Sequence, residues 1–319
     1  MKLKIIHLLP YNQNYPNMFE QEAKLIKQIL GEHCINLEHI GSTAVPNLIS
    51  KQDLDILCVI DNLENSLILE KIGYIFKGEL NVPLRYYFSK NTAHSKVNLH
   101  VVDPIYGNSF INLNLSFRDY LIANDDAKQE YAVLKTSLLK NHRSYQRKEQ
   151  QFSDYNLGKN QFIKHILAKI HFNELHVNFC MHHEEWQEYH RIKEQEIFIP
   201  INVTYDPMHP SMTQTNHKHF VLYKGVTIVA IAHIEFLINN EAALRVLATD
   251  KLYQNNGYGS YLLHFLEQWL KNKNINIIKM HARLSAENFY RQLGYIDMLF
   301  DDPCINEQHV NLGKVLLSD

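Results

Sequence analysis

The sequence has few cysteines, no long apolar run and almost no net charge, and each of these shortages excludes a class of protein. Its four cysteines, Cys34, Cys58, Cys180 and Cys304, lie far apart without a CxxC pair, so we expect reduced thiols and no disulfide framework. No apolar segment is long enough to cross a membrane, and the one at the N-terminus ends at Pro10, too short for a signal peptide. A net charge of −2 gives no nucleic-acid signal. We therefore expect a cytoplasmic protein without a membrane partner.

What remains is the composition of an ordinary globular protein, with 45% apolar and 21% charged residues. A length of 319 residues predicts two domains. The helical pattern of the first half ends near residues 173 to 177, where a new register begins. We therefore place a first domain at 1–172 and a second domain at 177–319.

The first domain contains a Gly-Ser pair, Gly41-Ser42, followed by two aspartates in an apolar run, Asp53 and Asp55. Side chains alternate along a strand, so the two carboxylates are predicted to share one face while their apolar neighbours take the other. Adjacent carboxylates repel unless a cation relieves them, and Mg²⁺ prefers carboxylates together with substrate phosphates. A glycine lets the backbone approach a phosphate, and a serine hydroxyl can donate to it. Nucleotidyl transfer needs these parts, although an isolated DxD is more often a solvated turn.

Segments 39–46 and 51–56 resemble the GrpB family of the nucleotidyltransferase superfamily, and the resemblance extends over about residues 3–170. Segment 115–121, which we interpret as the start of a helix, and segment 131–135 also match. So does Lys159, in a helix that we predict over 155–170. The resemblance implies a short mixed sheet with flanking helices. It implies Asp53 and Asp55 as catalytic metal ligands, Gly41 and Ser42 as nucleotide-binding residues, and ATP or another nucleoside triphosphate with Mg²⁺ as the ligand.

Two further positions of this domain leave alternatives open. Arg85 matches an arginine of the family and is either a bidentate partner of a phosphate or a member of a surface ion pair. His100, on a strand predicted over Lys96–Val102, stands where the superfamily usually has a third carboxylate. It could bind metal, act as a base or fill the site of a lost activity. The domain is thus a nucleotidyltransferase or, alternatively, a module that binds a nucleotide or client without catalysis.

In the second domain we predict strands at 217–224, 227–238 and 242–249, then a glycine-containing motif at 254–259 and a helix from Ser260. Glycines between a strand and a helix let backbone N–H groups point at an anion bound at the helix N-terminus. The motif therefore predicts a cradle for a pyrophosphate. On its own, a Q-x-x-G-x-G sequence is more often an ordinary strand-to-helix turn.

This motif and the segment 285–295 resemble the GNAT acyltransferase family, over roughly residues 177–317. The resemblance implies acetyl-CoA, with its pyrophosphate on the amides of residues 254–260 and its pantetheine arm along the strand at 244–249. The residues implied to bind this cofactor are Leu247, Thr249, Gln254, Asn256, Gly257, Tyr258, Gly259, Ser260 and Asn288. Tyr290 fits the position of the general acid that protonates the leaving thiolate; a core tyrosine is the alternative.

Amine acetylation also needs a group that takes a proton from the acceptor. His233 and Glu235 share a face of the strand predicted at 227–238, and each is either this base or a surface residue. We thus expect a two-domain α+β and α/β protein, with a nucleotidyltransferase-like mixed sheet and flanking helices followed by a GNAT mixed sheet with helices. The expected activity is acetyl transfer to a small-molecule or protein amine, with Mg²⁺-dependent nucleotidyl transfer in the first domain.

Overall fold

The computed structural model describes residues 7–93, 95–141, 154–302 and 308–316. The chain divides into two compact units, Met1–Glu174 and Leu175–Asp319. The division lies two residues beyond the end that the sequence predicts for the first domain. Among the described residues, no helix has the length and apolar content needed to span a bilayer.

The first unit is a five-stranded sheet flanked by helices. Its strands are β1 (Cys34–Ile40), β2 (Leu54–Ile60), β3 (Ile75–Phe76), β4 (Arg85–Asn91) and β5 (Lys96–Val102). Its α-helices are α1 (Tyr15–Leu30), α2 (Asn108–Ala123), α3 (Asp125–Asn141), α4 (Asp154–Leu157) and α5 (Asn160–Lys169). A 3₁₀ helix at Leu63–Ile72 ends at Gly73, whose left-handed conformation caps it.

The strands of this sheet follow the order β1-β2-β5-β4-β3, and only β2 and β5 pair in parallel. One face of β2 and β5 packs with α1 into a buried apolar cluster. The opposite face of the same two strands carries the polar residues Asp55, Asn98 and His100. The core on one side thus fixes a polar surface on the other, and this polar surface holds the candidate site.

Three local predictions for this unit need correction. Asp53 precedes β2, which begins at Leu54, so the two aspartates do not lie on one strand as predicted. The segment 115–121, interpreted as the start of a helix, lies inside α2, which begins at Asn108. The single helix predicted over 155–170 is divided into α4 and α5.

The second unit is built on a seven-stranded sheet. Its strands are β6 (Leu175–Phe179), β7 (His217–Lys224), β8 (Thr227–Phe236), β9 (Glu241–Thr249), β10 (Ile277–Arg283), β11 (Ile296–Asp297) and β12 (His309–Val315). Its α-helices are α6 (His183–Lys193), α7 (Tyr258–Lys271) and α8 (Glu287–Gln292). A π-helical turn, Glu194–Phe198, continues α6, whereas the sequence predicts one regular helix over 183–198.

The strand order is β11-β12-β10-β9-β8-β7-β6, and β9 and β10 are its parallel pair. They pair only where Glu241–Ala243 meets Ile277–Lys279. Beyond these residues the two strands separate, and we call the gap between them the splay. The other edge of β9 stays paired with β8 as far as Thr249. Along this pair, His233 lies opposite Val246 but Ile234 lies opposite Leu244, so Arg245 is the extra residue of a β-bulge.

Candidate functional site

The Gly-Ser turn of the first unit lies directly against Asp55. Gly41 has φ of 72°, and a Cβ built on it would lie 2.3 Å from Oδ2 of Asp55. A side chain at this position would therefore displace the carboxylate. Ser42 begins the next 3₁₀ turn, and its Oγ accepts a hydrogen bond from Nζ of Lys135 at 3.2 Å. The sequence thus identified a turn and a carboxylate that the fold brings together.

The neighbour of Asp55 on β5 is Asn98, not His100. Asn98 lies opposite Asp55 in the parallel register and donates from Nδ2 to Oδ1 of Asp55 at 2.8 Å. The hydroxyl of Tyr87 in turn donates to Oδ1 of Asn98 at 2.7 Å. An amide therefore occupies the place beside Asp55 where the sequence predicted His100.

His100 instead belongs to a buried contact with Arg85. Nη1 of Arg85 donates to Nδ1 of His100 at 2.9 Å, and Nη2 donates to the carbonyl of Glu79 at 2.7 Å. Arg85 is 4% exposed, so it is not a member of a surface ion pair, which was one of the two alternatives. Its Nε has no hydrogen-bond partner among the described residues. Burial of its charge lowers the pKa of Arg85 to about 10.

Three lysines lie in this site. The sequence singled out Lys159 by itself, whereas Lys51 and Lys135 are end residues of the matched segments 51–56 and 131–135. Nζ of Lys51 and Nζ of Lys159 each donate to Oδ1 of Asn156 at 3.3 Å, and both lie over the ring of Tyr155. Lys135, 1% exposed, contacts Ser42 and the carbonyl of residue 49. Lys51 and Lys135 come from a loop and a helix distant in sequence, so no local spacing pointed to them.

Burial and mutual charge shift the pKa values of this cluster toward neutrality. Burial raises the pKa of Asp55 to about 6, against the hydrogen bond from Asn98, which lowers it. Burial lowers the pKa of Lys159 to about 8, and the charge of Lys51 acts in the same direction. Burial likewise lowers the pKa of Lys135 to about 7. Such shifts are common where charged groups are held in a ligand site.

The carboxylates of this site form a poor cage for metal. Within the described ranges, no group of three or more histidine, cysteine, aspartate or glutamate side chains is placed to hold a metal ion. Asp53 and Asp55 remain the residues that could contribute to one Mg²⁺, whose other ligands would have to be water and phosphate oxygens. Three lysines against two carboxylates fit an anionic ligand better than a two-metal centre.

In the second unit, the glycine-containing motif forms an exposed turn at the start of α7. Gly257, the N-cap, has φ of 79° and ψ of 1°, a left-handed conformation that favours glycine. Residues 254–257 are exposed, while Tyr258 is buried and Ser260 partly buried. A Cβ at Gly259 would lie 3.5 Å from Oγ1 of Thr249 and 3.6 Å from the Phe289 ring, in ordinary van der Waals contact, so these two groups bound the space for any atoms beyond Cβ.

Two side chains of this turn, Gln254 and Asn256, form hydrogen bonds within the protein. Nε2 of Gln254 donates to Oε2 of Glu196 at 3.0 Å and to the carbonyl of Thr249 at 3.1 Å. Nδ2 of Asn256 donates to the carbonyls of Tyr253 and Gln254. The backbone amides, and not these side chains, are therefore the groups that can receive an anion.

The edge of β9 beside the splay begins at Leu244, where pairing with β10 ends. Leu247 and Thr249 lie on this part of the strand and are partly exposed. Asn288, also implied in cofactor binding, is exposed on α8. An extended ligand could hydrogen-bond to this open strand edge as an added strand does.

Tyr290 follows on α8 and is 8% exposed. Its ring contacts the rings of Phe289 and Tyr295. Burial raises its pKa, so the hydroxyl keeps its proton at neutral pH, as a general acid requires. Its hydroxyl has no hydrogen-bond partner in the part of the chain that the structure describes.

The two candidate bases have other partners. His233 is 3% exposed, stacks on His219 with ring centroids 4.2 Å apart, and shares a 2.7 Å hydrogen bond with His217. Burial lowers its pKa far below the usual value, which makes it a weak proton acceptor. Glu235 accepts from Nε of Arg245 at 2.6 Å and is held as an ion pair.

Sequence reasoning missed a polar cluster at the splay. Nη2 of Arg245, the bulged residue of β9, contacts Oδ2 of Asp302 at 2.7 Å. Nε2 of His281, on β10, lies 3.7 Å from Oδ1 of Asp302. Arg245 and His281 each lie two residues beyond the last paired residues, Ala243 and Lys279. The register of β9 against β10, which brings them together, cannot be read from the sequence.

Comparison with known proteins assigns a class to each unit. The sequence model of the acetyltransferase (GNAT) family matches residues 178–295, so the second unit is a GNAT acetyltransferase domain. The sequence model of the GrpB protein family matches residues 5–169, more than half of the chain, and the chain belongs to this family. The predicted family assignment and fold class are therefore confirmed.

UPF0157 protein YqkA of Bacillus subtilis is 33% identical over 174 residues, covering 51% of this chain and 48% of the relative. The chain thus spans about half the length of this curated relative. The crystal structure of the conserved protein GrpB from Enterococcus faecalis is 32% identical with a TM-score of 0.45, covering 51% of this chain and 96% of that one. A GNAT-family acetyltransferase from Staphylococcus aureus is 18% identical with a TM-score of 0.39, covering 45% and 100%.

Proposed function

We propose that the second unit transfers the acetyl group of acetyl-CoA to a primary amine. The observation that carries the proposal is the free edge of β9 beside an exposed, glycine-containing helix N-terminus. The backbone amides of residues 254–260 would hold the pyrophosphate, and the strand edge at 244–249 would hold the pantetheine arm. Acetyl-CoA supplies a thioester whose carbonyl carbon is open to attack by an amine.

The residues around the splay suit this reaction. Tyr290 retains its proton and can give it to the thiolate that leaves when the carbon–sulfur bond breaks. Glu235 and Asp302 place two carboxylates against the single guanidinium of Arg245. Two carboxylates at this position attract an acceptor that arrives as a cation, as an alkylammonium does.

The test uses calorimetry with acetyl-CoA and a thiol-release assay with ethylamine as the acceptor probe. We expect the wild-type protein to bind acetyl-CoA, and Gly257→Val and Gly259→Val to weaken binding at least about tenfold, because Gly257 has a left-handed backbone and Gly259→Val adds methyl groups beside Thr249 and Phe289. Gly31→Val, at an exposed glycine with φ of 58° and open space around its Cβ, is the control for backbone strain alone. Affinity for acetyl-CoA unchanged by both substitutions at the turn would contradict the proposed site.

A second proposal concerns the first unit, which we infer binds a phosphate-bearing ligand such as a nucleotide. Support comes from Lys135, which donates to Ser42 of the turn, and from Lys51 and Lys159, which both donate to Asn156 and whose charges act on Asp55. Binding without chemistry is favoured over Mg²⁺-dependent nucleotidyl transfer, since Asp53 and Asp55 lack a third carboxylate among the described residues. Transfer of a nucleoside monophosphate is the other outcome of the test.

Calorimetry with ATP, with and without Mg²⁺, and an assay of pyrophosphate release distinguish ligand binding alone from nucleotidyl transfer. Lys159→Met should weaken ATP binding about tenfold or more, whereas Lys71→Met, at an exposed lysine outside the cluster, should leave it unchanged. If Asp55→Ala retains ATP binding without Mg²⁺, the unit is a binding module. Pyrophosphate release that requires Mg²⁺ and disappears in Asp55→Ala would establish nucleotidyl transfer instead.

A further inference from the structure

One ring nitrogen of His281 is hydrogen-bonded, and the other has no hydrogen-bond partner among the described residues. Nδ1 lies 2.7 Å from Oδ1 of Asn311, which faces it across the β10–β12 pair. Because an amide oxygen only accepts, Nδ1 carries a proton, and in the neutral imidazole Nε2 then carries the lone pair. The side chain is 8% exposed, and Nε2 has no hydrogen-bond partner among the described residues. A buried acceptor without a donor is destabilising, so a bound group that donates to Nε2 would be favoured.

Asp302 shows what this donor has to be. Its Oδ1 lies 3.7 Å from Nε2 of His281, and its Oδ2 is held by Nη2 of Arg245 at 2.7 Å. An imidazole lone pair and a carboxylate oxygen at this separation repel each other. A positively charged group with at least two N–H bonds can donate to both and relieves the repulsion. The ring of Phe300 stacks on His281 with centroids 4.6 Å apart and so covers one face of the imidazole.

We propose that Nε2 of His281 and Oδ1 of Asp302 form the subsite for the ammonium group of a primary alkylamine, and that His281 takes its proton. This proposal rests on the proposed acetyl transfer and specifies its acceptor class and its base. One N–H bond of the ammonium breaks, the proton passes to Nε2, and the electron pair stays on nitrogen, ready to form the new carbon–nitrogen bond. The imidazolium that results donates to Asn311 and faces the carboxylate of Asp302, and both contacts stabilise it.

The position of His281 on the splay supports this role over the two bases that the sequence indicated. His281 lies on β10 and Arg245 on β9, each two residues past the last paired residues, and Asp302 contacts both. The subsite therefore lies where the two strands begin to separate, beside the strand edge proposed for the pantetheine arm. Glu235 is held by Arg245 and His233 hydrogen-bonds to His217, whereas Nε2 of His281 has no hydrogen-bond partner among the described residues.

The test compares two small amines that differ in protonation. Near neutral pH ethylamine is an ammonium ion, whereas methoxyamine is mostly uncharged and needs no base before it attacks. His281→Gln keeps an N–H that can donate to Asn311 and should reduce kcat for ethylamine about a hundredfold or more. With methoxyamine as the acceptor, the same substitution should reduce kcat by less than about tenfold. His183→Gln, at an exposed histidine on α6, is the matched control. An equal loss with both amines, or no loss with ethylamine, would refute the role of His281.

Asp302→Asn adds a binding readout, because it retains a contact for Arg245 but loses the charge that faces the ammonium. It should raise KM for ethylamine about tenfold without changing KM for methoxyamine. Equal effects on the two KM values would exclude an ammonium subsite.

A spectroscopic measurement decides the question even without turnover. In ¹⁵N-histidine-labelled wild-type protein, the His281 signals, assigned by their loss in His281→Gln, should show a proton on Nδ1 and shift when ethylamine is added. A proton on Nε2 alone, or no response to ethylamine, overturns the subsite. Failure of the acetyl-transfer proposal would look different, because acetyl-CoA would not bind at all.

Discussion

Among single residues, Asp55 is the group whose charge the fold disfavours most clearly. Burial raises its pKa from 3.8 to about 6, and the nearby charge of Asp53 acts in the same direction. The folded state therefore binds more protons than the unfolded state between about pH 4 and pH 6. Stability from this group is present below pH 4 and is lost as the pH rises through 6.

It follows that Asp55→Asn should stabilise the protein at neutral pH. The amide keeps an oxygen for Asn98 but carries no charge, so the free energy of unfolding should rise by about 1–3 kcal/mol. Urea unfolding at pH 4 and pH 7 measures this, and the gain should be near zero at the lower pH. A variant less stable than wild type at pH 7 would show that the lysines more than compensate the carboxylate.

Tyr290 offers a second test at this scale. Tyr290→Phe removes the proposed proton donor and little else, since its hydroxyl has no hydrogen-bond partner among the described residues. Acetyl transfer to ethylamine should fall about a hundredfold, with unchanged affinity for acetyl-CoA in calorimetry. Activity within about twofold of wild type would make Tyr290 a packing residue, which was the alternative on sequence grounds.

Gly41 and Asp55 lie against each other in the fold, and one short segment of sequence contains both, so a local motif was enough to point to them. Their role in binding a ligand stays a prediction. Asn98 and His281 were not found, because their neighbours depend on how separate strands align. A shift of register by one residue would have exchanged Asn98 for a side chain on the other face.

At the scale of elements, the turn after β1 packs the backbone of Gly41 directly against the side chain of Asp55. Gly41→Ala places a Cβ 2.3 Å from Oδ2 of Asp55 and also strains a positive φ. We expect a loss of about 2–4 kcal/mol in the free energy of unfolding. Gly78→Ala is the control, because Gly78 has φ of 74° with open space around its Cβ. Equal losses in the two variants would mean that the contact with Asp55 contributes nothing.

Elements with a strong apolar period were predicted well. The strands over Lys96–Val102 and His217–Lys224 were predicted with the ends that the structure gives them. The start of α2 was missed, since its first two turns, from Asn108, have no clear apolar stripe and follow a turn at Gly107. The π-helical turn after α6 was missed as well, because a helix sequence gives no sign of where its hydrogen-bond spacing changes.

For the whole molecule, the division into two units has a direct consequence. Each unit has its own sheet and its own buried apolar cluster, around β2 and β5 in the first and around β7 and β8 in the second. Fragments 1–174 and 175–319 are both long enough to form a core of their own. We expect each to unfold cooperatively by circular dichroism, and acetyl-CoA to bind only the second. A fragment that stays unfolded would show that it depends on the rest of the chain.

The brief pairing of β9 with β10 has a practical use. Beyond the paired residues, the amide hydrogens of β9 that face the splay have no partner on β10. We expect them to exchange with solvent deuterium more readily than the amide hydrogens of β9 that bond to β8. A ligand that lies along this edge would protect these amides from exchange. Mass spectrometry of peptides spanning residues 244–249 therefore reports when the splay holds a ligand. Deuterium exchange along β9 thus reports ligand binding to the second unit and can be measured before any acceptor is known.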